Sequence, residues 1–329
     1  APAYRKGSLT LAADTQGLYT VSNLAQSQAY TVCATNGTDT ASVSVSTPAM
    51  ARYESPTWES LGSPGFSASA QFQSLAFAPD GTAYVAYQDN ENGEATTVMR
   101  FDGNTWETVG SAGFYAAKAA EQSLAFAPDG TPHVAYRDSG NGDRTTVMRF
   151  DGSDWVNLGS AGFSAGDAGF QSLAFAPDGT PHVAYQDGGK EFRITVMRFN
   201  GSDWETVGSA GFSEGPALDQ SLAFAPDGTP YVAYLDVVNL LRTTVMRFDG
   251  SHWVNVGKAG FSEGQGIFQS LAFAPDGTPH VAYQDSGNDF RTTVMRFDGS
   301  HWVNVGNPGF SADMAYYQSL AFAPDGTPH

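Results

Sequence analysis

The side chains of this chain that could act as catalytic bases or metal ligands recur at fixed positions of a repeat. Four histidines share one repeat position, and tyrosine takes that position in two other copies. Because a metal ligand or a catalytic base would not be exchanged for tyrosine, the pattern indicates a structural role. The histidines are His133, His182, His280 and His329, and the tyrosines are Tyr84 and Tyr231.

Arginine and aspartate also recur once in each copy, as in Arg100 and Asp89. Because a buried arginine needs a charged partner, we expect the two sets to pair within or between copies. A further aspartate precedes glycine in every copy, as in Asp80, and its short side chain suits a hydrogen bond to the turn backbone. These repeated charges are interpreted as structural.

No cofactor is expected from the sequence. The acidic composition would suit Ca²⁺, which stays open as an alternative, but no segment supplies the roughly six to eight oxygen ligands of this ion. No serine, histidine and acid arrangement, no glycine-rich phosphate loop and no carboxylate pair stands outside the repeat pattern. Since an enzyme usually breaks the symmetry of its repeats at the active site, and the variation here is assigned to loops, the sequence predicts that the protein is not an enzyme.

Composition argues against two classes of partner. Acidic residues outnumber basic residues by 34 to 16, and the net charge of -18 repels nucleic acid and anionic lipid headgroups. No window approaches the ~18 apolar residues of a membrane-spanning helix, so we expect no membrane insertion. A composition rich in Gly, Ser, Thr and Asn, with a start at Ala1 that would suit signal removal, favours a secreted or cell-surface protein.

An internal repeat dominates the chain. The string Gln-Ser-Leu-Ala-Phe-Ala-Pro-Asp-Gly-Thr occurs six times, always 49 residues apart, and a tryptophan marker also occurs six times. The string begins at Gln73, Gln122, Gln171, Gln220, Gln269 and Gln318. We expect these glutamines to form hydrogen bonds between neighbouring copies, with a ring around a channel mouth as the alternative.

Each copy carries four short strand patterns separated by turn residues. In the first complete copy they cover residues 74–78, 84–87, 97–101 and 106–109. Four antiparallel strands in every ~49 residues, unable to bury both faces alone, are typical of a propeller blade. The sequence therefore predicts an all-β, six-bladed β-propeller.

The two ends of the repeat array complement each other. Arg52, Tyr53 and Trp58 align with the third and fourth strands of a copy, whereas the chain stops at His329 just after a first strand. We therefore expect one blade to be split between the N- and C-terminal segments, with residues 40–46 replacing its second strand. The predicted domains are residues 1–46, a short N-terminal β segment, and residues 47–329, the six-bladed propeller.

The repeats resemble secreted bacterial propellers of the kelch and sialidase-like repeat types. The resemblance is carried by the Ala-Pro-Asp-Gly turn, the tyrosine-ended second strand and the Phe-Asp-Gly-x-x-Trp turn. It implies the fold and no activity, because the sialidase Asp box places its glycine two residues after the aspartate, whereas Asp102 and Gly103 are adjacent. Residues 18–46 resemble the last strands of a fibronectin type III or immunoglobulin-like module, a partial sandwich able to donate a strand.

The copies differ from one another in two loops of each blade. Because successive strands are antiparallel, the loops between second and third strands and the connections between blades lie on one face. Large apolar residues in these loops can be explained as a recognition surface or as drift and packing between blades. Four residues that precede first strands are assigned to packing, namely Phe72, Phe170, Phe268 and Tyr317.

We interpret the variable face as a ligand-binding surface. The predicted function is a non-catalytic extracellular binding or adhesion module for a glycan or a protein. The alternative is a structural subunit of a fibre or surface array, assembled with copies of itself by strand exchange. The candidate ligand-binding residues are Tyr115, Lys118, Lys190, Glu191, Phe192, Leu218, Val237, Leu240, Leu241, Ile267, Asp289, Phe290, Met314 and Tyr316.

Overall fold

The computed structural model describes residues 60–115, 117–323 and 325–329, together with the backbone of four short strands nearer the N-terminus. Internal contacts divide the chain into two units, Ala1–Ser60 and Leu61–His329. In the first unit β1 (Ala12–Ala13) pairs with β2 (Tyr19–Thr20), and β3 (Ala29–Thr35) pairs with β4 (Thr40–Ser46). Both pairs are antiparallel.

The second unit contains five four-stranded antiparallel sheets, each built from one copy of the repeat and with its strands in chain order. We number these sheets blades 1 to 5. Blade 1 contains β5 (Ala70–Phe77), β6 (Ala83–Asp89), β7 (Ala95–Phe101) and β8 (Trp106–Thr108), and blade 2 contains β9 (Ala119–Phe126), β10 (Pro132–Asp138), β11 (Arg144–Phe150) and β12 (Trp155–Asn157). Blade 3 contains β13 (Ala168–Phe175), β14 (Pro181–Asp187), β15 (Arg193–Phe199) and β16 (Trp204–Thr206), and blade 4 contains β17 (Ala217–Phe224), β18 (Pro230–Asp236), β19 (Arg242–Phe248) and β20 (Trp253–Asn255). Blade 5 contains β21 (Gly266–Phe273), β22 (Pro279–Asp285), β23 (Arg291–Phe297) and β24 (Trp302–Asn304).

The five sheets are arranged as propeller blades. The first strand of a blade contacts the first strands of its neighbours, as β9 contacts β5 and β13. This places the first strands innermost, around a central axis. The predicted all-β repeat architecture is therefore confirmed, and the predicted strand order within each blade is confirmed as well.

The core lies between blades. In blade 2, Leu124, Val134 and Tyr136 are buried against Ala86 and Val98 of blade 1. Burying the apolar faces of two neighbouring sheets against each other removes them from water. This stabilises the fold by about 25 cal/mol for each Å² of apolar surface buried.

A tryptophan in the last strand of each blade fastens that blade to the one before it. The indole nitrogen of Trp155 donates a hydrogen bond of 2.8 Å to the carbonyl oxygen of Val109, and the Phe114 ring stacks on the indole at 4.7 Å. The other blades repeat this contact, so the Trp marker of the sequence is a latch between blades.

The expected pairing of the repeated arginines with the aspartates that end second strands is wrong. Arg149 and Asp138 lie at opposite ends of their paired strands. Asp138 is buried and accepts a hydrogen bond of 2.6 Å from the Thr146 hydroxyl. Where an arginine of this set is paired, its partner is an exposed acid, as for Arg198 with Glu205 at 2.6 Å.

The repeated histidines have the structural role that we expected. His133, His182 and His280 are buried, and Nδ1 of His133 lies 3.0 Å from the carbonyl oxygen of Thr131. The edge of the His133 ring meets the Phe175 ring of the next blade, with centroids 4.9 Å apart. Burial lowers the pKa of all three histidines.

The sixth copy of the repeat packs against blade 5. The Leu320 amide donates to the Ser270 hydroxyl at 2.9 Å, as the Leu124 amide does to Ser74 between blades 2 and 1. The predicted count of six blades is not confirmed, because residues 47–59, which were expected to complete this blade, lie outside the described residues. The boundary between residues 46 and 47 stays a prediction, and so does the sandwich-like character of residues 1–46, whose β4 pairs with β3.

Candidate active site

A β-bulge lies at the same place in the first strand of every blade. In blade 2 the pairing of β9 with β10 shifts between Ala135 and Arg137, which leaves Glu121 and Gln122 opposite Tyr136. A bulge turns one side chain out of the strand's normal alternation, and bulges are common beside active sites. Because β9 is an innermost strand and its bulge is near the variable loops, Glu121 lies near the central axis on the variable face, a place that we call the mouth of the channel.

The residue at this bulge has a left-handed backbone in all six copies. Its φ lies between 50° and 57°, at Phe72, Glu121, Phe170, Asp219, Phe268 and Tyr317. A side chain in this region costs roughly 1–2 kcal/mol, and such strain is concentrated at functional sites. Four of the six residues are aromatic and two are acids. Phe72 and Tyr317 are exposed, although the Tyr317 ring lies 4.3 Å from that of Phe268, so the packing role assigned to these two residues from the sequence stays a prediction.

Glu121 is largely buried and lies in a charged setting. Its Oε2 accepts a hydrogen bond from the Phe170 amide of blade 3. Burial raises the pKa of the Glu121 carboxyl, and the charge of Asp219 raises it further. The bond from Phe170 and the guanidinium of Arg137 act in the opposite direction on this pKa. Arg137 itself contacts Asp143, with Nε 3.3 Å from Oδ1.

Asp219 occupies the same bulge two blades further on. Its Oδ2 accepts a hydrogen bond of 3.2 Å from the Phe268 amide of blade 5. The neighbouring Ala217 amide bonds to the carbonyl oxygen of Phe192, which brings that phenylalanine beside the start of β17. Burial raises the pKa of Asp219, with only the Phe268 bond acting against it.

Hydrogen bonds link the two acids through the blade between them. The Phe170 amide bonds to Glu121, and the Phe170 carbonyl oxygen accepts from the side-chain amide of Gln220, the residue after Asp219. The same Gln220 nitrogen lies 2.9 Å from the Gly169 carbonyl oxygen. The predicted hydrogen bonding of the repeat glutamines between blades is therefore confirmed at Gln220.

The predicted variable face exists. Loops between second and third strands bond to the connections between blades, as the Ser139 amide bonds to the Lys118 carbonyl oxygen at 3.1 Å. Of the candidate ligand residues, the exposed ones are Lys118, Lys190, Glu191, Phe192, Val237, Leu240, Asp289, Phe290, Met314 and Tyr316. The half-buried ones are Tyr115, Leu218, Leu241 and Ile267.

These candidates are not all available to a ligand. The Lys118 ammonium lies 2.6 Å from the Glu94 carboxylate, and the Tyr115 ring packs on Tyr136 with centroids 5.7 Å apart. Leu218 and Ile267, by contrast, each precede a bulge residue at the mouth. Within the described residues no group of three or more His, Cys, Asp and Glu side chains is placed to hold a metal ion. Nor does any helix of the described residues have the length and apolar character needed to cross a membrane.

Sequence reasoning missed Glu121 and Asp219. Both had been counted as loop residues, whereas they lie inside β9 and β17. The available signal was the alignment of the six copies, in which an acid replaces an aromatic residue twice at one position.

Solved structures share this fold, although no protein-family model and no curated protein matches the sequence. A triple mutant of AofleA from Arthrobotrys oligospora has a TM-score of 0.55 and 13% identity, over 78% of this chain and 77% of that one. A PL25 ulvan lyase has a TM-score of 0.51 and 14% identity, over 72% and 71% of the two chains. The α-L-arabinanase of Penicillium chrysogenum, solved with arabinobiose, has a TM-score of 0.51 and 12% identity, over 78% and 86%.

These similarities contradict two expectations from the sequence. A non-catalytic binding or adhesion module, with a fibre subunit as its alternative, and a protein that is not an enzyme were expected. The fold is instead one on which a polysaccharide lyase and an arabinanase are built. The premise that the copies differ only in loops is also wrong, because Glu121 and Asp219 lie in strands. The chain is an all-β protein with the β-propeller fold.

Proposed function

We propose that this chain is an enzyme that hydrolyses the glycosidic bonds of a polysaccharide, with Glu121 and Asp219 as its catalytic carboxylates. One observation carries the proposal. At the same strained bulge of the innermost strands, blades 2 and 4 carry acids where every other copy carries an aromatic residue. Glycoside hydrolysis typically uses two carboxyl groups, one that donates a proton to the leaving oxygen and one that acts as base or nucleophile.

The surroundings of the two acids assign their roles. Burial raises the pKa of Asp219 and so favours the protonated form, which can donate a proton to the glycosidic oxygen. Burial raises the pKa of Glu121 as well, but Glu121 has the Arg137 guanidinium near it, and this charge acts in the opposite direction and favours the carboxylate form. Glu121 is therefore the base that activates water, or the nucleophile that attacks the anomeric carbon. When two such groups interact, their titrations are coupled, and the apparent pKa values belong to the pair.

The arabinanase and the ulvan lyase that share the fold support a carbohydrate polymer as the substrate class. The exposed candidates on the variable face are proposed to contact this polymer on either side of the cleaved bond. A protein that acts on such polymers is proposed to work outside the cell. Six blades are proposed for the complete ring, and the exposed Leu75 and Phe77 of β5 support this, because the equivalent Leu124 is buried by a preceding blade.

The proposal is tested by product analysis on a panel of plant and algal polysaccharides. Hydrolysis releases reducing ends without an unsaturated sugar, whereas elimination produces an ultraviolet-absorbing unsaturated product. We expect reducing ends alone, and a loss of about 10²–10⁴ in kcat for Glu121→Gln and for Asp219→Asn. Glu205→Gln, an exposed acid on the opposite face, is the matched control and should retain the wild-type rate. Cleavage by elimination, or full activity in both active-site variants, would overturn the proposal.

A further inference from the structure

The mouth of the channel has a charged side. In blades 1 and 2 it carries Glu94, Glu121, Arg137 and Asp143, with Lys118 on the connection between these blades. Both cations are already held by acids, since Lys118 lies 2.6 Å from Glu94 and Arg137 lies 3.3 Å from Asp143. At the repeat position of Arg137 the other described blades carry glutamine or leucine. These two cations are therefore not available to an anionic sugar.

The opposite side of the mouth is apolar. Phe192, Leu241 and Phe290 occupy in blades 3 to 5 the position that Glu94 and Asp143 occupy in blades 1 and 2. Their carbonyl oxygens accept hydrogen bonds from the first-strand region of the next blade, at 3.0, 3.1 and 3.1 Å. These bonds place each apolar residue beside the next bulge, so the apolar side adjoins Asp219.

An aromatic pair lies within this apolar side. The rings of Phe268 and Tyr317 have centroids 4.3 Å apart, and Tyr316 lies 6.4 Å from Phe268. Phe268 lies within blade 5 and is half-buried, so part of one ring of the pair is open to a ligand. The Phe268 amide donates a hydrogen bond to Asp219, and this bond holds the aromatic pair close to the acid. An aromatic face offers a large rigid apolar surface to the C–H face of a sugar ring.

The loops between second and third strands of blades 3 to 5 hold one more side chain in the left-handed region than those of blades 1 and 2. Glycine caps the loop between second and third strands in blades 1 and 2, at Gly93 and Gly142. In blades 3 to 5 the same left-handed position holds a side chain, at Glu191, Leu240 and Asp289. Such a substitution costs roughly 1–2 kcal/mol and is retained where function needs the side chain.

We propose that the mouth accepts an uncharged polysaccharide, whose sugar rings stack on Phe268 and Tyr317 beside Asp219. The acids at the mouth and the net charge of -18 repel a polyanionic chain, and Lys118 and Arg137 are already engaged by acids. The apolar side instead removes water from the C–H faces of neutral sugars. This inference rests on the proposed function, of which it names the substrate class.

The test compares neutral and uronate polymers by two readouts. Wild-type protein is assayed for cleavage of arabinan, β-glucan, polygalacturonate and alginate, and the Asp219→Asn variant is run by affinity electrophoresis in gels that contain each polymer. We expect cleavage and retardation with neutral polymers alone. Phe268→Ala and Tyr317→Ala should each raise KM about tenfold with little change in kcat. His301→Ala, an exposed ring on the opposite face, is the control and should leave KM unchanged.

The outcomes separate the two proposals. Cleavage or retardation that favours the uronate polymers would overturn the neutral-substrate inference and leave the hydrolase proposal standing. Retardation in neutral gels without cleavage of any polymer would support the inference and count against the hydrolase. Absence of both cleavage and retardation would overturn both proposals, and an unchanged KM in both aromatic variants would overturn the stacking role.

Discussion

The amide nitrogen of Phe170 in blade 3 donates a hydrogen bond to Oε2 of Glu121 in blade 2, at 2.5 Å. The equivalent amide of Phe268 in blade 5 donates to Oδ2 of Asp219 in blade 4, at 3.2 Å. Each acid is thus oriented by the backbone of the aromatic residue at the next bulge. Strand register, which the repeat fixes, positions both carboxylates at the channel mouth.

The pH profile of activity should depend on Arg137. Its guanidinium lowers the pKa of Glu121, so removing it raises that pKa. Because the base must be ionised, activity increases as pH rises through this pKa, and Arg137→Gln should shift the acidic limb of kcat/KM to higher pH. Glutamine occupies this position in blades 1, 3 and 5, so the variant is compatible with the fold. An acidic limb that does not move, or that moves to lower pH, would contradict the role of Arg137. Arg100→Gln, on the opposite face, is the control.

The two carboxylates should reduce stability at neutral pH. Each has a folded-state pKa above its ordinary value of ~4, so the folded state binds more protons across that interval and stability falls as pH rises through it. Asp219→Phe restores the aromatic residue of the other copies and should gain about 0.5–2 kcal/mol in the free energy of unfolding at pH 7. Urea unfolding of wild type and Asp219→Phe at pH 4 and pH 7 measures this gain in the free energy of unfolding. A gain no larger at pH 7 than at pH 4 would argue against the destabilising role of the carboxylate.

The three buried histidines should make the folded protein more stable as pH rises, whereas the two carboxylates make it less stable. Burial lowers the pKa of His133, His182 and His280 below the unfolded value of ~6.5, so the stability they contribute is present above that pH. It is lost as pH falls through the folded-state pKa. Replacing all three with tyrosine, the residue of Tyr84 and Tyr231, should flatten the decline in unfolding temperature between pH 7.5 and 5. An identical decline in wild type and variant would refute this interpretation.

The latch between blades should be sensitive to a single methyl group. A Cβ at Gly208, where φ is 72°, would lie 2.8 Å from the Phe248 ring, whereas a Cβ at Gly201, where φ is 101°, would meet nothing within 4 Å. Gly201→Ala therefore tests backbone strain alone, at roughly 1–2 kcal/mol, and Gly208→Ala adds overpacking of roughly 1–3 kcal/mol. If chemical unfolding showed equal losses in the free energy of unfolding for the two variants, the latch would tolerate the extra atom.

The repeat made the architecture predictable from sequence. Gln73 and its five equivalents set a 49-residue period, and the turn residues around Asp80 and Asp102 marked the strand ends. The observed β5 begins at Ala70 rather than at residue 74, because the strand continues through the bulge to pair Ala70 with Asp89. The alternation of apolar residues in the sequence does not reveal a bulge. The extra residue interrupts the alternation just as the end of a strand does.

The candidate site could be predicted only in part. The variable face followed from antiparallel connectivity, and Leu218 and Ile267 on it adjoin the site. Glu121 and Asp219 were missed because the bulge, which turns them towards the channel, is a feature of backbone pairing. The predicted pairing of Arg149 with Asp138 is wrong because residue type alone does not say at which end of a strand each charge lies.

The most direct test of the catalytic pair compares reducing-end release from one neutral polysaccharide by wild type, Glu121→Phe and Asp219→Phe. Phenylalanine is the residue of three other copies at this bulge, so both variants should keep or exceed the wild-type unfolding temperature. We predict a fall of at least about 10² in kcat for each variant. Wild-type rates in either stably folded variant would contradict the assignment of Glu121 and Asp219 as the catalytic pair.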